Sequence, residues 1–181
     1  VSHNQQTTIF MGTEAPVFVN PLPNAMKNGF TMGLLFSANF LLSVAQSNIV
    51  QLLTYLIIAF ILVFTLRCTR NFRDNESGGQ ISFYRCFSYI FLLFFFASLI
   101  SAAVKLVYLN YINTDYLPRL VEATKKTMEQ LKIEVPANSE EFFSIILNPS
   151  QFIIQTVMAD TMLGAMLGLI YAPFLKKTKE Q

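Results

Sequence analysis

The chain has no tryptophan, a single histidine at His3 and two cysteines, Cys68 and Cys86. Only 13% of its residues are charged, and none of these lies between Asn28 and Leu66. These absences remove whole classes of chemistry. One histidine far from two cysteines without CxxC spacing gives no zinc-type ligand set and no disulfide framework, so no metal is expected. No Ser-His or Cys-His arrangement is present, and the carboxylates that might pair are surface residues or Asp160 alone, so the chain is not expected to be an enzyme. Gly78-Gly79 is not followed by Lys-Ser/Thr and is no phosphate loop, and no cofactor is expected. A net charge of +2, with no basic stripe interleaved with aromatics, also argues against nucleic acid as a partner.

What is abundant is apolar sequence: 53% of residues are hydrophobic, and runs at Cys86 to Val104 and Pro149 to Leu175 follow the charge-free one. At 1.5 Å per helical residue the first run would extend roughly 58 Å, about twice the hydrocarbon thickness, so it must fold back on itself. Gln46-Ser47-Asn48 is the only polar triplet at which it can turn. The expected fold is all-α: a polytopic membrane protein with four transmembrane helices in an antiparallel bundle, spanning about 29–46, 49–66, 87–109 and 149–175. Residues 1–27 read as a weakly structured, proline-punctuated extension, and 28–178 as one domain. Ser82 is placed to cap the third helix and Asn148-Pro149 to open the fourth.

Residues 110–148 form an outer segment. Asp115 can cap an amphipathic helix with Leu117, Leu120, Val121, Thr124, Met128 and Leu131 on one face. Glu122 with Lys126 and Glu129 with Lys132 support the other face. Pro136 ends this helix, and Ser139 can start a short one through Phe142 and Phe143. Basic residues cluster at Arg67, Arg70, Arg73 and Arg85 and again at Lys176, Lys177 and Lys179, whereas the opposite short turn has none. The positive-inside rule then puts both termini in the cytoplasm.

Asp160 stands near the middle of the fourth apolar run, where an ionised carboxylate costs about 2.5 to 3.5 kcal/mol and calls for a partner. Lys105, near the outer end of the third, is the natural one. Two readings stay open: an ion pair, or a snorkelling Lys105 beside a protonated Asp160 bonded to a neighbouring helix. Thr156, Asp160, Gly164, Gly168 and Ala172 share one i+4 row, a small-residue ridge that includes a GxxxG. Gly29, Gly33 and Ser37 make a second ridge. Asn39, Ser43, Gln51, Thr54, Ser98, Ser101 and Gln155 fall in the outer halves of their helices and form a candidate outward-facing polar cluster. Arg67, Arg70, Arg73 and Arg85 are candidate contacts for lipid headgroups or other anions, with positive-inside anchoring the simpler account.

The run Asn71-Phe72-Arg73, then Ser77-Gly78-Gly79-Gln80-Ile81-Ser82-Phe83, and the tyrosine-rich exit Tyr108-Leu109-Asn110-Tyr111-Ile112-Asn113 resemble a Bacteroidetes family of small four-span inner-membrane proteins. That family is catalogued as a domain of unknown function, and the likeness covers about residues 26–178. The resemblance implies a bacterial inner membrane and four helices, and it brings no catalytic residues. The leading expectation is an inner-membrane accessory or scaffold protein of the envelope, using its small-residue ridges and outer helix to bind another membrane or envelope protein, or a copy of itself. The alternative is a small transporter or channel that uses Asp160 and Lys105 to move a proton, an ion or a lipid-linked group. Against it, the apolar cores contain no proline, and neither a half-helix pair nor an internal repeat is visible.

Overall fold

The computed structural model describes residues 20–44, 48–132 and 139–176. Among these residues six α-helices follow one another: α1 Leu22–Val44, α2 Asn48–Asn71, α3 Phe83–Val107, α4 Tyr116–Gln130, α5 Ser139–Leu147 and α6 Pro149–Leu175. Two π-turns extend α2 and α3, at Phe72–Glu76 and Tyr108–Ile112. Among the described residues, three stretches are long and apolar enough to cross a bilayer: Val50–Glu76, Phe83–Ile112 and Pro149–Leu175. The chain is therefore an all-α membrane protein. α1 is not among the three, although its 23 residues suffice in length, because Asn24, Lys27, Asn28 and Asn39 dilute its apolar character.

Several boundaries differ from the sequence expectation. α1 begins at Leu22, so residues 22–27 belong to the helix rather than to an extension. Asn20 Oδ1 accepts the Leu22 backbone N–H at 3.0 Å, and Pro21 and Pro23 fall at the helix start, where a missing N–H costs nothing. Pro21 and Pro23 are therefore start signals of α1. α2 continues past Leu66 through Arg67 and Arg70, because backbone hydrogen bonding does not stop where the apolar run ends. The expected hairpin turn lies partly outside the described residues, which resume at Asn48. α6 matches its expected range and carries Pro173 in its last turn, inside the run expected to lack proline.

The caps at α3 and α6 are those the sequence suggested. Ser82 accepts from the Arg85 N–H at 3.4 Å, and Asn148 Oδ1 accepts from Ser150 and Gln151 ahead of Pro149. Asp115 makes no cap bond. Its backbone is helical (φ −84°, ψ −2°), and its carboxylate lies 3.9 Å from Arg119 instead. Glu122 and Lys126 pair at 2.8 Å, whereas Lys132 falls beyond the end of α4 with φ 53°. Gly78 and Gly79 take φ of 64° and 77°, left-handed values that reverse the chain between α2 and α3 at little cost.

α3 is the central mast, packed along α1 on one side and α6 on the other, while α2 lies mainly against α1. Lipid tails are as apolar as leucine, so burial alone gives no attraction between helices in a bilayer, and close packing must supply it. Glycine allows that approach in both seams. A Cβ on Gly29 would stand 2.7 Å from Phe96 Cβ, and one on Gly33 would stand 2.6 Å from Ile100 Cβ. On the other side, Gly164 would meet Phe94 Cβ at 2.3 Å and Gly168 the Phe87 ring at 3.0 Å. The rising order 29 to 96 and 33 to 100 makes α1 parallel to α3. The falling order 164 to 94 and 168 to 87 makes α6 antiparallel.

A buried cluster at one end joins Leu109, Leu117 and Ile153, fixing α4 over the junction of α3 and α6. Leu117 and Val121 are the buried part of the expected α4 face, and Leu131 at its far end is 65% exposed. Lys125 Nζ lies 4.8 Å from the centre of the Phe143 ring, tying α4 to α5.

Candidate functional site

α3 and α6 bring the two apolar-run charges together. Lys105 Nζ stands 3.4 Å from Asp160 Oδ2. The pairing follows from the antiparallel seam: Asp160 lies one turn before Gly164 on the row that packs on α3, and the lysine stem bridges the remaining offset. The two charges are unequally covered. The Lys105 side chain is 10% exposed and its ammonium also sits 5.8 Å from the centre of the Phe40 ring, whereas Asp160 is 30% exposed. Asp160 therefore carries the accessible charge of the pair.

The pair borders a cleft of about 340 Å³ between α1, α2, α3 and α6. Asn39 and Ser43 supply its other polar wall, and Phe36, Phe40, Ile61 and Leu163 contribute apolar surface. Asn39 Oδ1 is buried with no hydrogen-bond partner among the described residues, as is Ser101 Oγ one turn before Lys105. An amide oxygen and a hydroxyl are thus held without compensation in a low-dielectric setting.

The other outer-half polar residues are not gathered here. Gln51 and Gln155 are exposed, and Thr54 donates to the Val50 carbonyl at 3.2 Å. Helical geometry explains Gln155: five residues from Asp160 is about 500° of turn, which puts the two on different faces. Ser98 donates to the Phe95 carbonyl and lies 3.4 Å from Thr161 Oγ1 across the α3–α6 seam. In the small-residue row, Gly164, Gly168 and Ala172 are buried, while Thr156 is half-buried and bonds the Ile153 carbonyl. The ridges expected to receive a partner are thus occupied by α3 of the same chain.

The four arginines do not form one cluster of free charge. Arg67 and Arg70 are exposed on α2. Arg73 donates to Asp74 at 2.7 Å and to the Leu175 carbonyl at 3.3 Å, bonding the C-terminal end of α6. Arg85 is half-buried in the first turn of α3. Cys68 and Cys86 are free and buried.

Sequence reasoning missed a second polar assembly, at the opposite end of the helices from Lys105. Tyr89 donates to Asn24 Oδ1 at 2.7 Å and accepts from Asn28 Nδ2 at 3.1 Å. Asn24 in turn donates to Glu76 in the first π-turn. The Tyr89 ring stacks on Phe72 with centroids 4.5 Å apart. A sequence signal existed, since Asn24 and Asn28 are four apart and so share a helical face.

At the α4 end, a vestibule of about 470 Å³ is lined by Ser43, Asn113, Tyr116 and Arg119. Phe40, Tyr108 and Tyr116 form an edge-to-face triangle with centroid separations of 5.5, 5.9 and 6.3 Å. Burial raises the pKa of the Tyr116 hydroxyl above the ordinary tyrosine value, so it remains a neutral phenol at physiological pH.

Neither the curated proteins nor the solved structures contain a match to the chain. A family model does match across nearly all of the described helices, from α1 to the end of α6. Over residues 27–177 the chain belongs to the family described as Protein of unknown function (DUF4199).

Proposed function

We propose that this chain is an integral inner-membrane accessory or scaffold protein of a bacterial, specifically Bacteroidetes, envelope, acting by partner binding and without catalysis. It crosses the membrane four times, through α1, α2, α3 and α6, with both termini cytoplasmic. The grouping of Arg67, Arg70, Arg73, Arg85 and Lys176 at helix ends supports that orientation.

The observation that carries the proposal is the two-sidedness of α6. One side seals against α3 through Gly164 and Gly168, while the other leaves Met158, Met162 and Met166 exposed at 67%, 69% and 61%. Methionines at i, i+4 and i+8 line one row, and their unbranched, polarizable side chains adapt to irregular surfaces. The partner is another membrane or envelope protein, or a second copy of the chain, seated on this row within the bilayer. A photoreactive amino acid at position 162 should crosslink a discrete protein species in living cells. Crosslinks to lipid alone would remove the scaffold reading.

A second reading, a small transporter or channel for a proton, an ion or a lipid-linked group, is favoured by one feature. The Lys105–Asp160 pair borders a cleft rather than a sealed interface. An ionisable pair in an apolar run that adjoins open space fits a solute path better than a purely structural tie. Loss of a transport phenotype in Asp160→Asn with normal folding would support it.

A further inference from the structure

The cleft and the vestibule share a wall. Ser43 lines both, Phe40 lines the cleft, and Tyr116 lines the vestibule with its ring centre 5.9 Å from that of Phe40 at 80°. One layer of aromatic side chains therefore separates the space beside α4 from the space beside Asp160. Tyr108 braces this layer from the second π-turn, contacting both rings. The polar groups of the cleft are unequally covered and unequally satisfied. The Asp160 carboxylate is the more exposed member of its pair, the Lys105 ammonium is tucked toward Phe40, and buried Asn39 Oδ1 finds no donor among the described residues. A buried amide oxygen without a donor, next to the more accessible negative charge, suits a ligand that brings its own N–H or O–H groups and a positive charge. Arg119 beside the vestibule lies 3.9 Å from Asp115, which offsets its repulsion of such a ligand.

We propose that the cleft is a cation site entered from the α4 side, past Ser43 and through the Phe40–Tyr116 layer, and that its ligand is a small hydrogen-bond-donating cation such as hydronium or a primary ammonium. This rests on the transport reading of the same site and adds the entry route, the gate and the charge of the ligand.

The test is thiol labelling of the full chain in sealed membrane vesicles, with membrane-impermeant cationic and anionic methanethiosulfonates. The unsubstituted chain, whose Cys68 and Cys86 are buried, gives the baseline. Ser43→Cys should react with both reagents. Asn39→Cys should react about fivefold faster with the cation, as an interaction of roughly 1 kcal/mol with a nearby carboxylate gives. Phe40→Ala should accelerate Asn39→Cys and leave Ser43→Cys unchanged. Leu62→Cys, on the α2 wall of the cleft, provides the same readout if Asn39→Cys does not fold.

Asn39→Cys and Leu62→Cys both silent to impermeant reagents but modified by a lipid-soluble maleimide would overturn the proposal, because the cleft would then open to lipid. Faster reaction with the anion would overturn it as well. Lys125→Cys on α4 reports which face of the membrane that helix occupies. If it reacts only from the cytoplasm while Asn39→Cys reacts from that same face, the assigned orientation fails and the entry route stands.

Discussion

Lys105 Nζ and Asp160 Oδ2 lie 3.4 Å apart, joining α3 and α6 by opposite charges of unequal exposure. Removing either partner strands the other in a poor solvent for ions. Lys105→Met or Asp160→Leu should each destabilise the protein by about 3 kcal/mol, and the double substitution by clearly less than their sum. Equilibrium unfolding in mixed micelles measures all three. Strictly additive losses below about 0.5 kcal/mol would show that the pair contributes nothing to stability.

Gly164→Ala is expected to be the most damaging glycine-to-alanine change among the described residues, because its Cβ would fall 2.3 Å from Phe94 Cβ. The seam must open, at a cost of about 1 to 3 kcal/mol. Gly168→Ala meets only the edge of the Phe87 ring at 3.0 Å and should cost less. Met162→Ala, on the exposed side, is the control, expected within about 0.5 kcal/mol of the parent. Thermal inactivation midpoints in detergent should follow this order, and equal effects at 162 and 164 would contradict the packing described.

Tyr89→Phe keeps the stack on Phe72 and deletes a hydroxyl that bonds both Asn24 and Asn28. The loss should be about 1 to 2 kcal/mol. Amide exchange in the first two turns of α1 should accelerate, while exchange in α4 should not. Unaltered exchange at Asn24 and Asn28 would mean that the network does not hold α1 in place.

The α4 ion pair gives a pH dependence of known sign. The hydrogen bond and charge of Lys126 hold the Glu122 carboxyl below its ordinary pKa, and Glu122 holds Lys126 above its own. The carboxylate's support is therefore complete above the usual glutamate range and disappears as the pH falls through its folded value. The lysine's support is complete below its ordinary value and is lost only in strong alkali. Intrinsic-rate-corrected amide protection in residues 117–130 should be flat through neutrality and drop in acid in the parent. It should drop less in Glu122→Gln, and identical acid profiles would refute the assignment.

How much of this was legible in sequence depends on the range of the cause. Asp160 and Lys105 stood out because charge is rare in apolar runs, and antiparallel geometry alone brought them to a common level. The glycine rows were legible as faces, but whether α3 or a foreign helix would fill them is a tertiary fact that periodicity cannot carry. Asn24 was hidden because its partners, Tyr89 and Glu76, are more than fifty residues away. The π-turns at Phe72–Glu76 and Tyr108–Ile112 carry no local residue code, yet they aim Arg73 at α6 and Tyr108 at Phe40. The vestibule and the aromatic layer follow from them.

The bond from Arg73 to the Leu175 carbonyl also dates the completion of the structure during biosynthesis. Its two ends are 102 residues apart. At 5 to 20 residues per second, roughly 5 to 20 s separate the making of the donor from the making of its acceptor. Once α3 has followed, the α1–α3 seam can close, while Phe87, Phe94 and Lys105 still await the last helix. A nascent chain stalled before α6 should display those side chains to whatever chaperone or insertase attends it.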